Sequence, residues 1–125
     1  MAEFSVEIPV SLPMHVVGPK ASRDFETLVD TGSTYVVISW EDAVRLGYEP
    51  WKAPRAPIGT GSGMIEAPLI ELNRVEVLGF KREKVKALVK DLSDVGIIAI
   101  LGWSFLDHFS FLINPKEGIL KIEDP

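Results

Sequence analysis

The sequence predicts a mainly β domain with one or two short helices, and three observations lead there. Apolar residues alternate with polar or small ones in several short runs, β-branched and aromatic side chains fill those runs, and clusters of Gly, Pro, Asn and Asp separate them. At 125 residues, 46% hydrophobic and 25% charged, the chain can bury one core but not two of ordinary size. Residues 1–125 are therefore read as a single domain.

Phe4, Val6, Ile8, Val10 and Leu12 alternate as a half-buried strand does, and Pro9 and Pro13 place it at a sheet edge. Turn formers fill Gly18 to Ser22, and Phe25 to Val29 then reads as a second strand running into Asp30-Thr31-Gly32-Ser33. Tyr35 to Ile38 is a third strand. Ser39 is a helix cap with Asp42 reaching back three residues on, and Gly47 is the stop, so the helix has two turns at most. Pro50, Pro54 and Pro57 predict an extended, irregular approach to the flexible tip Gly59-Thr60-Gly61-Ser62-Gly63. Strands are predicted within Met64 to Val77 and around Val85, Ala87 and Val89, followed by a loop from Asp91 to Gly96. Ile97 to Leu101 is apolar on both faces, as an interior strand is, and stops at Gly102. Trp103 to His108 reads as a short helix, and Phe109 to Ile113 with Ile119 to Ile122 as a terminal hairpin.

A net charge of -5 without blocks of like charge gives no electrostatic reason for nucleic acid or an anionic membrane as partner, and Lys81 to Lys90 reads as a solvated strand face. Met1 to Val10 lacks the pattern of a signal peptide or membrane span, which leads to the expectation of a cytoplasmic protein. The chain has no cysteine, so disulfides, thiolate nucleophiles and Cys-ligated metals are excluded. His15 has no second histidine or carboxylate cluster at ligand spacing, so neither metal nor cofactor is expected. Adjacent helix positions point apart, which makes Asp107-His108 a surface pair. Trp40, Trp51 and Trp103 read as core or interface anchors.

Asp30 stands on a small-residue loop between two apolar strands. Hydrolysing an amide without metal or nucleophilic side chain requires activating a water while polarising the carbonyl, and two carboxyl groups sharing a proton do both. In that scheme Gly32 lets its N–H approach the Asp30 carboxylate, Thr31 holds the loop, and Ser33 donates to the outer carboxylate oxygen. The bland reading makes Asp30 a turn residue capping its own loop and Gly59 to Gly63 an ordinary hairpin turn. That stretch fits neither a nucleotide-binding nor a serine-nucleophile glycine pattern.

Three elements in this order resemble the aspartic proteases, specifically the single-domain retropepsin-like group of cellular and prokaryotic type. They are Leu28-Val29-Asp30-Thr31-Gly32-Ser33, the glycine-rich tip Gly59 to Gly63, and Ile100-Leu101-Gly102 followed by Trp103-Ser104-Phe105-Leu106. The resemblance covers nearly the whole chain and implies a closed, barrel-like retropepsin fold. It also implies a catalytic Asp30 supported by Thr31, Gly32 and Ser33, a flap at residues 59–63 over the substrate, and Ile100, Leu101 and Gly102 packed beside the catalytic loop. With one Asp-Thr-Gly per chain, the second carboxyl must come from an identical partner, so a homodimer hydrolysing extended polypeptide is implied. Thr31 hydroxyls would then interlock across the twofold axis, and the Ser33 hydrogen bond, by stabilising the ionised carboxylate, would put the optimum on the acidic side of neutral. The alternative is a non-catalytic dimeric peptide-binding module of the same fold. Trp103-Ser104 stands where cellular relatives often carry Met-Asp and reads as packing variation.

Overall fold

The computed structural model describes residues 2–5, 10–60, 63–93, 96 and 98–125. Among these the strands are β1 (Ala2–Ser5), β2 (Ser11–Val17), β3 (Ser22–Val29), β4 (Val36–Ile38), β5 (Arg55–Thr60), β6 (Gly63–Val77), β7 (Phe80–Val89), β8 (Ala99–Leu101), β9 (Ser110–Asn114) and β10 (Ile119–Glu123). Two short helices, α1 (Trp40–Leu46) and α2 (Trp103–Leu106), complete the mainly β chain that the sequence predicts.

The strands β2, β3, β8, β4, β7 and β6 follow one another side by side, and β2 also pairs with β6, so the sheet closes into a barrel. Alternation explains its core. Leu12, Met14 and Val16 of β2 point inward beside Phe25, Val36, Ile38, Leu72, Val85, Ala87, Val89 and Leu101, all buried. The short interior strands β4 and β8 are apolar on both faces because a second cluster lies outside the barrel. There Val37, Leu88, Leu92, Ala56 and Ala67 pack with the half-buried Tyr35, Ile58, Leu69 and Ile100. The hairpin β5–β6 covers that cluster, with register Ala56↔Ala67 and Thr60↔Gly63.

Pro57 is accommodated inside a regular strand, not the irregular approach expected, because among the described strands β5 is an edge strand paired only with β6. The alternating run from Phe4 to Leu12 is likewise not one strand. β1 belongs to a separate three-stranded sheet, β1-β10-β9, whereas β2 belongs to the barrel; Val6, Ile8 and Pro9 lie outside the described residues. Among the described residues Pro13 sits where β2 has only β3 as neighbour, since β6 joins β2 at residues 15–17. β6 and β7 turn tightly through Leu78 and Gly79, both at positive φ (52° and 85°), the conformation a two-residue hairpin favours.

The capping pattern at Ser39 forms as read. Its Oγ accepts from the Asp42 backbone N–H at 3.1 Å and donates to the Asp42 carboxylate at 2.9 Å. Gly47 ends α1 in the left-handed region at φ 102°. Asp42, only 5% exposed, also pairs with Arg23 and thereby ties α1 to β3. The tryptophans are not core residues: Trp40, Trp51 and Trp103 are 45, 58 and 38% exposed. α2 ends at Leu106, so Asp107 and His108 lie beyond it and their side chains meet at 3.1 Å instead of diverging. His15 pairs with Asp24 at 2.7 Å on the β2–β3 surface. No described helix is long and apolar enough to cross a membrane.

Candidate active site

β3 delivers Asp30 to the end of the barrel. Val29 pairs in parallel with Leu101 of β8, and the Asp30 N–H continues that pairing to the Leu101 carbonyl at 3.1 Å. The chain then reverses, the Ser33 N–H donating to the Asp30 carbonyl at 3.1 Å. Within this turn the Gly32 N–H donates to Asp30 Oδ1 at 2.8 Å, and a Cβ on Gly32 would stand 3.1 Å from the same oxygen. A charge-assisted bond from the backbone thus orients the carboxylate. Asp30 is half-buried, while Thr31 and Gly32 are exposed.

Ser33 does not take the place assigned to it above. Its Oγ donates to the Tyr35 carbonyl at 2.7 Å, and a serine hydroxyl has one proton to give, so the outer Asp30 oxygen receives none from it in this chain.

The segment after β8 clamps the loop from behind. Gly102 is buried, and a Cβ there would run into the Tyr35 carbonyl oxygen and stand 2.6 Å from that of Ser33. Only glycine allows the two backbones to approach so closely. The Trp103 N–H then donates to the Ser33 carbonyl and that of Ser104 to the Thr34 carbonyl, both at 2.9 Å. Two side chains treated above as packing variation add to this clamp. Trp103 Nε1 donates to the Thr31 carbonyl at 2.6 Å, and Ser104 Oγ accepts from the Val36 N–H at 2.8 Å while donating to the Lys86 carbonyl at 2.7 Å. The loop is held through its backbone, which a sequence motif does not display.

Asp30 opens onto a cleft of about 280 Å³. Ser33, Thr34 and Tyr35 form one side; Val37, Leu88 and Ile100, the outward residues of β4, β7 and β8, form the floor; Pro57, Ile58 and Gly59 of β5 overhang it. Gly59 of the tip therefore meets the cleft, Thr60 and Gly63 are paired at the hairpin end, and Gly61 and Ser62 lie outside the described residues. Ile100 lines the cleft, whereas Leu101 faces the core and Gly102 the loop. Tyr35, Val37, Ile58, Leu88, Lys90 and Leu92 were not singled out as site residues. The two-sided apolarity of β4 and the end of β7 was the available signal that their outer faces are also covered. Among the described residues no three or more His, Asp or Glu side chains converge as a metal site requires.

Comparison with solved structures finds this architecture in the retropepsin-like aspartic protease from Rickettsia conorii, at a TM-score of 0.67 and 24% sequence identity over 95% of this chain and 86% of that one. The fold is thus retropepsin-like. Comparison with curated proteins finds no match. A family model described as aspartyl protease matches residues 14–105, a span from β2 to α2 that takes in the Asp30 loop, the β5–β6 hairpin and Gly102. By that match the chain belongs to the aspartyl protease family and is an aspartic-type endopeptidase.

Proposed function

We propose that the chain hydrolyses peptide bonds of extended polypeptide segments as a homodimer, with Asp30 of each copy contributing one of two carboxyl groups that activate a water. The observation that carries this reading is the Asp30 carboxylate, aimed by the Gly32 N–H at the mouth of a cleft overhung by a strand hairpin. One carboxyl is base or acid at a given moment, not both. A second one a few ångströms away, from a symmetry mate, shares its proton, because like charges at that distance do not both ionise. Water attacks as the first carboxylate takes its proton, and the second carboxyl protonates the carbonyl oxygen. The tetrahedral intermediate then collapses with proton transfer to the leaving amine.

Thr31, exposed beside Asp30, is placed at the axis in this reading. Gly32 and Ser33 support the loop, residues 59–63 form the flap, and Ile100, Leu101 and Gly102 back the site. The edge strand β5 offers free backbone groups to which an extended peptide can add as a further strand. In the terminal sheet, β10 has both edges filled by β1 and β9 of its own chain. A partner copy therefore meets this sheet at its outer strands or on a face, not by inserting a strand beside β10.

The test is cleavage of a denatured protein between pH 3 and 7, alongside sedimentation. The expected result is a dimer whose activity is inhibited by pepstatin and falls about 1,000-fold or more in Asp30→Asn, the scale of losing a general acid–base pair. Cleavage that survives Asp30→Asn, or an active monomer, refutes the reading.

A further inference from the structure

The cleft beside Asp30 has a wall of hydrocarbon and one cation. Val37, Ile58, Leu88, Leu92 and Ile100 supply the wall, and Lys90 lines the same space at the end of β7. Lys90 is half-buried, and its backbone N–H is anchored on the Ile38 carbonyl at 3.0 Å, so its stem leaves from a fixed point of the barrel. Like Lys20, Lys84 and Lys86, and unlike Arg23, Arg45, Lys52, Arg55 and Arg82, Lys90 has no carboxylate partner among the described residues; what sets it apart is its place in the lining of the Asp30 cleft. Its neighbour Asp91 is engaged elsewhere, accepting from the Ser93 N–H at 2.9 Å.

A purely apolar subsite needs no ammonium group, and among the described residues Lys90 is the one cationic residue that lines the cleft holding Asp30. We propose that this cleft selects a glutamate side chain of the substrate. Its methylenes lie on Leu88, Leu92 and Ile100, and its carboxylate meets the Lys90 ammonium. The inference rests on the proposed function, which makes the cleft a substrate subsite. Twofold symmetry then supplies two such clefts, one on each side of the scissile bond, so the preference is symmetric about the cut. It is confined to those positions, because the chain's net charge of -5 disfavours peptides that are acidic throughout.

The experiment has two arms. In the first, peptides that differ only in Glu, Gln, Leu or Lys at the selected position are titrated into the Asp30→Asn protein, which binds without cutting. In the second, cleavage sites in a denatured protein mixture are read by mass spectrometry for the wild type, Lys90→Met and Lys90→Glu. A half-buried ion pair lies between an exposed pair and a charge-assisted buried one, so Glu is expected to exceed Gln about tenfold in affinity and in kcat/KM. That advantage disappears in Lys90→Met and passes to Lys or Arg in Lys90→Glu. Glu preferred equally by wild type and Lys90→Met, or not preferred at all in binding, overturns this inference. Selective binding of Glu peptides without cleavage leaves it standing and sinks the proteolytic reading instead.

Discussion

Replacing Gly102 by alanine isolates the close approach on which the candidate site is built. The added Cβ meets backbone on every side: the Tyr35 carbonyl, whose carbon lies 2.8 Å away, and the Ser33 oxygen at 2.6 Å. No rotamer relieves such contacts, so the loop from Ser33 to Tyr35 must draw back by about an ångström, and overpacking of this kind costs about 1–3 kcal/mol. That movement also stretches the Trp103 and Ser104 N–H bonds to the Ser33 and Thr34 carbonyls, each worth about 1 kcal/mol net. The sum is about 3–5 kcal/mol, a large part of the 5–15 kcal/mol typical of a domain. In urea the midpoint is expected to fall by roughly 2–3 M, with peptide cleavage lost wherever the protein is still folded, since the Asp30 turn no longer seats. Gly59→Ala is the comparator: among the described residues its Cβ would find only the Met64 sulfur at 3.7 Å, an ordinary contact, and stability should move by less than about 0.5 kcal/mol. A Gly102→Ala midpoint within 0.5 M of wild type would show that the loop is not clamped as described, an outcome about as small as a neutral surface change.

Three further outcomes are expected. Ser104→Ala removes the acceptor of the Val36 N–H and the donor to the Lys86 carbonyl; stability should fall by about 1–3 kcal/mol in denaturant titration, with Ser104→Thr restoring part of it. The alkaline and acid limbs of stability should each carry an identifiable group. Desolvation raises the Tyr48 phenol above its usual 10.0, aided by Glu71 and opposed by the hydrogen bond at Asn73. The folded state therefore keeps the phenol proton longer, and stability declines as pH rises above about 10, a decline Tyr48→Phe should reduce. The Ser93 backbone and side-chain hydrogen bonds hold the Asp91 carboxyl below 3.8, against an opposing desolvation effect. That contribution is present above 3.8 and lost as pH falls through the lowered value, so Asp91→Asn should flatten the acid limb, measured as unfolding midpoint against pH.

The contrast between legible and illegible features follows from how far each signal reaches along the chain. Ser39, Asp42 and Gly47 specify a helix through bonds three or four residues apart, so its cap and stop were open to reading. Period-two alternation in β2 and the end of β7 reports a buried face without knowledge of what lies against it. Pro57, and the tryptophans as core anchors, misled for the same reason in reverse. Pro57 is compatible with a strand only because β5 has a free edge, and Trp40 or Trp51 is large and apolar whether or not a neighbour covers it. The Ser33 hydroxyl could be assigned to the Asp30 carboxylate from sequence proximity, and the fold gives it the Tyr35 carbonyl instead.

From its residues alone the chain determined a mainly β domain, the presentation of Asp30 on a glycine-backed turn, and the need for glycine at 32, because these rest on local sterics and on periodic burial. Only the tertiary structure decided why Gly102 is required, that Trp103 and Ser104 grip the loop, and that Lys90 shares a cleft with Asp30. Those facts are contacts between segments 18 to 72 residues apart. Closure of the barrel brings such segments together, and no spacing along the sequence encodes that distance.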